Sequence, residues 1–189
     1  MDSALIVSNS SSGTSFITEM LSAASIRDVT VSKSCGEARR LLLEREFDVV
    51  VVNAPLGDES GEDLSRYIAS KGISQAILVV KSEFFDEVSA VCEEDGVLTV
   101  AKPVNRTVFW SAIKLAGSAQ KQIKRMQDEN IKLLQKIEDI RIADRAKCLL
   151  ISYMKMNEQD AHRFIEKKAM DLRTTRRLVS EEIIRTYEN

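Results

Sequence analysis

The residues able to do chemistry in this chain are few. There is one histidine, His162, and there are three cysteines, Cys35, Cys92 and Cys148, among 189 residues. A lone histidine with no acid set beside it by spacing cannot anchor a catalytic or metal constellation. It is expected to pack or to face solvent. The cysteines are odd in number and scattered, which fits neither a disulfide framework nor metal-ligand spacing. They read as thiols of a reducing cytoplasm. With no nucleophile–base pair, metal pattern or phosphate loop, the expectation is a regulator that is not an enzyme and needs no metal or cofactor.

Two other sets of polar residues are suggestive. The first lies where apolar runs end: Ser8-Asn9, Asn53, Lys81 and Lys102, the last followed by Pro103. The second lies in the last third, where Lys168, Arg176 and Arg177 fall around the turn into the last expected helix. A basic tail behind an acidic front suggests that any polyanion binds at the tail. Charge is distributed to match. Residues 1–118 carry 11 Lys/Arg against 17 Asp/Glu, and residues 145–189 carry 10 against 7, within a net charge of −2.

The elements that position these groups follow from pattern. The short apolar runs Ala4–Val7, Val49–Val52, Ala76–Val80 and Val97–Val100, with a weaker one at Val29–Ser32, are rich in β-branched residues and predict buried strands. Helical stretches are expected between them, over 15–24, 35–46, 61–70, 84–93 and from Arg106 onward. Five strand–helix alternations predict an α/β fold with a doubly wound, five-stranded parallel sheet. All seven glycines and both prolines precede residue 118. The remainder should therefore be helix and short turns. No apolar run reaches the roughly 20 residues of a membrane span, and no signal peptide is recognised, so a cytoplasmic location without membrane contact is expected.

From residue 116 the apolar positions step by three and four: Ala116, Ala119, Ile123, Met126, Asn130, Leu133, Ile137 and Ile140. This heptad seam predicts a parallel coiled-coil homodimer, with Asn130 at an a position setting register. Asn157 is expected to cap a following helix, and Thr174 or Thr175 a third. Three domains result: residues 1–117, a coiled-coil helix over 118–144, and a three-helix domain over 145–189 whose first helix continues the coil.

The front resembles the receiver domain of bacterial response regulators over about residues 3–117. The resemblance rests on Leu5–Val7 and its polar loop, on Phe47–Val52 followed by Asn53-Ala54-Pro55-Leu56-Gly57-Asp58-Glu59-Ser60-Gly61, and on Val100-Ala101-Lys102-Pro103. That family needs an acceptor aspartate, two further acids for Mg²⁺ and a lysine. Here Ser8-Asn9 replace the acidic pair and Asn53 replaces the acceptor. Lys81 or Ser82 stands at the switch hydroxyl, and Lys102 alone is retained. The resemblance thus implies a degenerate receiver that takes up no phosphate, with Asp58 a solvated turn residue.

The tail resembles the ANTAR domain of transcription antiterminators over about Ile137–Tyr187. It carries Ala146-Lys147-x-Leu149-Leu150, Glu158-x-x-Ala161-His162 and Ala169-Met170-x-x-Arg173, then an apolar helix with Val179 and Ile183-Ile184. The resemblance implies three helices that bind hairpin RNA of a leader transcript, with Ala146, Lys147, Ala161, Ala169, Met170 and Arg173 at the interface. Charge and position add Lys168, Arg176 and Arg177. Cys148 and Lys155-Met156 stand where the family often has glycine, which predicts an unbroken helix through 148 and an altered turn near 155. Competing readings are a protein-interaction module governed by a sensor or adaptor protein, and a DNA-binding response regulator.

Overall fold

The computed structural model describes residues 1–188 and divides into two compact units, Met1–Met126 and Gln127–Asn189. In the first, five parallel strands, β1 (Ser3–Val7), β2 (Asp28–Ser32), β3 (Val49–Asn53), β4 (Gln75–Lys81) and β5 (Leu98–Lys102), form one sheet in the order β2-β1-β3-β4-β5. The helices of this unit are α1 (Ser11–Ala23), α2 (Cys35–Glu44), α3 (Glu62–Ser70), α4 (Phe85–Glu94) and the first part of α5 (Arg106–Met154).

Alternation along the strands sorts side chains onto two faces. Ala4, Ile6, Val49, Val51, Ile77 and Val79 meet Ile17, Met20 and Leu21 of α1 and Phe109, Ile113 and Ala116 of α5. Leu5, Val7, Val50, Val52, Leu78 and Val80 meet α2, α3 and α4 through Ala38, Leu64, Ile68 and Val88. Both faces are covered, so the central strands are apolar without a polar side. Gly61 introduces α3 with φ +93°, and a Cβ there would lie 2.8 Å from Val52 Cγ1. Backbone conformation and close approach both require glycine at this point.

Beyond Ala116, α5 keeps contact with its own unit through polar groups. The Gln120 amide donates to Ile73 O at 2.6 Å, and Lys124 Nζ meets Asp48 Oδ1 at 2.5 Å. Asp48 is buried and also accepts from the Asp2 and Ser3 N–H groups. Burial alone would raise its pKa, but these donors together hold it below the usual carboxylate value.

The second unit comprises the end of α5 with α6 (Glu158–Asp171) and α7 (Arg176–Tyr187). Its core is Ala146, Leu150, Ala161, Ile165, Ala169, Val179 and Ile183. The side chain of Asn157 caps α6 by accepting from Asp160 N at 2.8 Å, and Thr175 caps α7 by accepting from Leu178 N. α5 runs unbroken past Cys148 to Met154, and the turn follows at Lys155, which is left-handed at φ +58°. Among the described residues, no helix is long and apolar enough to cross a membrane.

Candidate functional site

The carboxyl ends of the strands gather Asn9, Asn53 and Lys102 around one depression, as expected for ligand-bearing positions of a parallel sheet. Ser8 and Asn53 are buried, and Asn53 Nδ2 donates to Ser8 Oγ at 3.0 Å. Asn53 presses on the first turn of α1, where a Cβ added to Gly13 would lie 2.4 Å from its Nδ2. Lys102 Nζ donates to the Ala54 carbonyl, and its pKa is lowered by burial and then by Lys81. Lys81 is exposed and pairs with Glu83 at 3.3 Å. None of the residues lining the depression is a carboxylate. Its polar groups are amides, hydroxyls and one lysine, a set poorly suited to a hard divalent cation.

Asp58 belongs to a different arrangement. Its carboxylate accepts from Cys35 N at 3.1 Å and Gly36 N at 3.0 Å, so it caps the first turn of α2 and is held below its usual pKa by those donors. Cys35, Asp58 and Glu59 cluster closely enough to share a metal ion. Two of these groups are already engaged, since Glu59 makes a two-pronged pair with Arg39. Burial, with Asp58 and Glu59 beside it, pushes the Cys35 thiol up to about 12, which keeps it protonated and a poor ligand.

On the stretch of α5 expected to form a coiled coil, Met126, Asn130, Leu133, Ile137 and Ile140 are exposed and Ile123 is half-buried. Met126, Leu133 and Ile140, the expected d positions, each expose 57–62% of their surface and so have little cover among the described residues.

In the helical unit the expected interface residues separate into groups. Ala146, Ala161 and Ala169 lie in the core, where small side chains let α5, α6 and α7 approach closely. Met170 projects into solvent at 77% exposure. Lys147 Nζ sits between Asp144 at 2.8 Å and Glu158 at 3.4 Å, and its pKa is raised chiefly by Asp144. Arg177 reaches Asp139 and Glu181, both at 2.8 Å, Arg176 reaches Glu166 at 3.2 Å, and Lys168 reaches Glu182 at 3.2 Å. His162 Nε2 lies 3.3 Å from Glu166. Arg173 ends α6 in a left-handed conformation, and among the described residues it has no ion-pair partner. Arg163 and Lys167, exposed on α6, are likewise unpaired among the described residues. Sequence analysis did not single out these two, although their i, i+4 spacing places them on one helical face.

Comparison with known proteins agrees with this division. The ANTAR domain family model matches residues 132–184. The chain is 29% identical to the transcriptional regulatory protein PdtaR of Mycobacterium tuberculosis over 150 residues, which is 79% of this chain and 73% of that one. The signal receiver domain of an HD domain-containing protein from Pseudomonas fluorescens Pf-5 superposes with a TM-score of 0.58 at 19% identity, covering 66% of this chain and 92% of that one. A response regulator receiver domain protein from Clostridium thermocellum gives a TM-score of 0.57 at 21% identity, covering 65% and 99%. The chain therefore joins a receiver-like domain to an ANTAR domain, the architecture of an antitermination-type response regulator.

Proposed function

We propose that the chain is a dimeric RNA-binding regulator of transcription antitermination, and that its receiver-like domain works without aspartyl phosphorylation. The ANTAR match over residues 132–184 carries the RNA-binding reading. The unpartnered d positions Met126, Leu133 and Ile140 support dimerisation. A second copy would cover them in a heptad seam and present two helical units to two hairpins, raising avidity through effective concentration. The carboxylate-free depression around Asn53 supports the absence of phosphorylation, because an amide cannot become an acyl phosphate and no acid is placed there to hold Mg²⁺. Lys102 is left as a hydrogen-bond donor to the Ala54 carbonyl.

Gel-shift titration with a two-hairpin RNA against duplex DNA of equal length tests the central reading. Tighter binding to RNA is expected, and tighter binding to DNA would refute it. Sedimentation equilibrium reads the dimer, with Ile137→Asp expected to yield monomer. Incubation with acetyl phosphate and Mg²⁺ is expected to leave the intact mass unchanged.

A further inference from the structure

We propose that the outer face of α6, formed by Arg163, Lys167 and Met170 and continued by Arg173, is the surface that contacts RNA phosphates. In this assignment Lys147, Arg176 and Arg177 hold the helical unit together. The inference rests on the RNA-binding reading above.

Available charge separates the two sets of cations. Lys147, Arg176 and Arg177 line one depression with Asp139 and Asp144, and they also pair with Glu158, Glu166 and Glu181, which lie outside its lining. Each of the three cations already faces at least one carboxylate of its own unit, so little unneutralised charge is left there for a phosphate. Lys147 is also mostly covered, with 17% of its side chain exposed. A polyanion could reach these cations only by displacing carboxylates tethered to the same unit, at high local concentration. The pairs join the end of α5 to α6 and α7, as cross-links in a unit whose apolar core is small.

The face of α6 carries the opposite balance. Arg163 and Lys167 are one turn apart, about 6 Å along the axis, and Met170 follows about 4.5 Å further on the same face. Both cations are exposed and unpaired among the described residues. Arg173 lies just past the helix at φ +49°. That backbone position suits Gly or Asn, so the turn itself supplies no reason for an arginine. Two acids lie within this stretch, Glu166 and Asp171; Glu166 is engaged by Arg176 and lies 3.3 Å from His162, and Arg163, Lys167 and Arg173 together outnumber the two. Exposed Met170, with Leu172 and Leu178 also exposed nearby in sequence, adds apolar surface against which an unstacked loop base can rest. A basic face interrupted by apolar side chains fits a folded RNA loop better than it fits the uniform backbone of a duplex.

Fluorescence anisotropy of the full chain with a labelled two-hairpin RNA, across a series of KCl concentrations, tests the assignment. The double variant Arg163→Gln/Lys167→Gln is expected to bind about tenfold more weakly near physiological salt. Its slope of log K against log salt should shrink by roughly 0.7–0.9 per cation removed. Arg173→Gln should behave similarly, and Asp171→Asn should tighten binding. Lys147→Gln and Arg177→Gln should lower the melting temperature and leave the slope unchanged. Wild-type binding with an unaltered slope in the double variant would overturn the assignment and leave the RNA reading standing. An equal loss of slope in Lys147→Gln would do the same. A wild-type chain with no salt-dependent affinity for the RNA would overturn both. Tighter binding of duplex DNA or polyglutamate through Arg163 and Lys167 would assign the face to another polyanion and refute the proposal.

Discussion

Removing the Asp48 carboxylate tests how α5 is fastened to the sheet beyond its last core residue, Ala116. Asp48 is 5% exposed, and its oxygens take Asp2 N at 2.5 Å, Lys124 Nζ at 2.5 Å and, more weakly, Ser3 N at 3.3 Å. A buried charge-assisted hydrogen bond contributes about 1.5–3 kcal/mol. The Lys124 side chain is 54% exposed, so solvent screening holds that pair to about 1 kcal/mol or less. Asp48→Ala should therefore cost about 2–3 kcal/mol, and Asp48→Asn, which keeps an acceptor, roughly half as much. The pKa of Asp48 is lowered in the folded chain, so its contribution is fully present above the unfolded value, near 3.8, and is lost as pH falls through the lower folded value. Urea denaturation followed by the fluorescence of Trp110, the only tryptophan and a half-buried residue packed against the first unit's core, reports on this unit alone. Run from pH 7 to pH 2, wild type should lose a component of stability in the acid range that Asp48→Asn lacks. A cost below about 0.5 kcal/mol for Asp48→Ala, or parallel acid slopes for the two proteins, would refute the reasoning.

Three further outcomes are expected. Gly13→Ala places a Cβ 2.4 Å from Asn53 Nδ2 and should destabilise the first unit by about 1–3 kcal/mol; Asn53→Ala in the same chain should restore most of the loss, read by the same urea titration. Cys148 is exposed and should react with a thiol reagent at once, whereas Cys35 and Cys92, buried with raised pKa values, should react only on unfolding; three fast thiols by mass spectrometry would contradict this. Asn157→Ala and Thr175→Ala each remove a side-chain cap and should cost about 1 kcal/mol, seen as a lower helical melting temperature with the Trp110 transition unchanged.

Much of the fold was legible because its signals are local. The β-branched runs became five parallel strands, and the weak run at Val29–Ser32 became the edge strand β2. The expected helix over 15–24 begins earlier, at Ser11. Ser10 caps it by accepting from Gly13 N, a role hidden in a run of polar residues. Gly117 reads as a boundary, yet it lies within α5. One glycine costs a long helix only about 1 kcal/mol against alanine, and packing of Phe109, Ile113 and Ala116 outweighs that. The compact unit then extends to Met126, because Gln120 and Lys124 find partners 47 and 76 residues away.

Residue identity and spacing by themselves determined which chemistry is missing from the strand ends. An asparagine at 53 and Ser8-Asn9 are not carboxylates in any conformation. They also carried the heptad pattern behind the proposed dimer, and they marked the two helix caps that the structure shows, since helical periodicity and capping act within a few residues. Only the tertiary structure decided how the charges of the tail are used. Lys147, Arg176 and Arg177 look as available in sequence as Arg163 and Lys167. Their partners Glu158, Glu166 and Asp139 come from other elements or lie up to 38 residues away. A cation's availability depends on what folding brings beside it, and that is set by packing between helices, over distances that no local pattern encodes. The same holds for Asp58, a loop residue in sequence, which in the fold spends its charge on the first turn of α2.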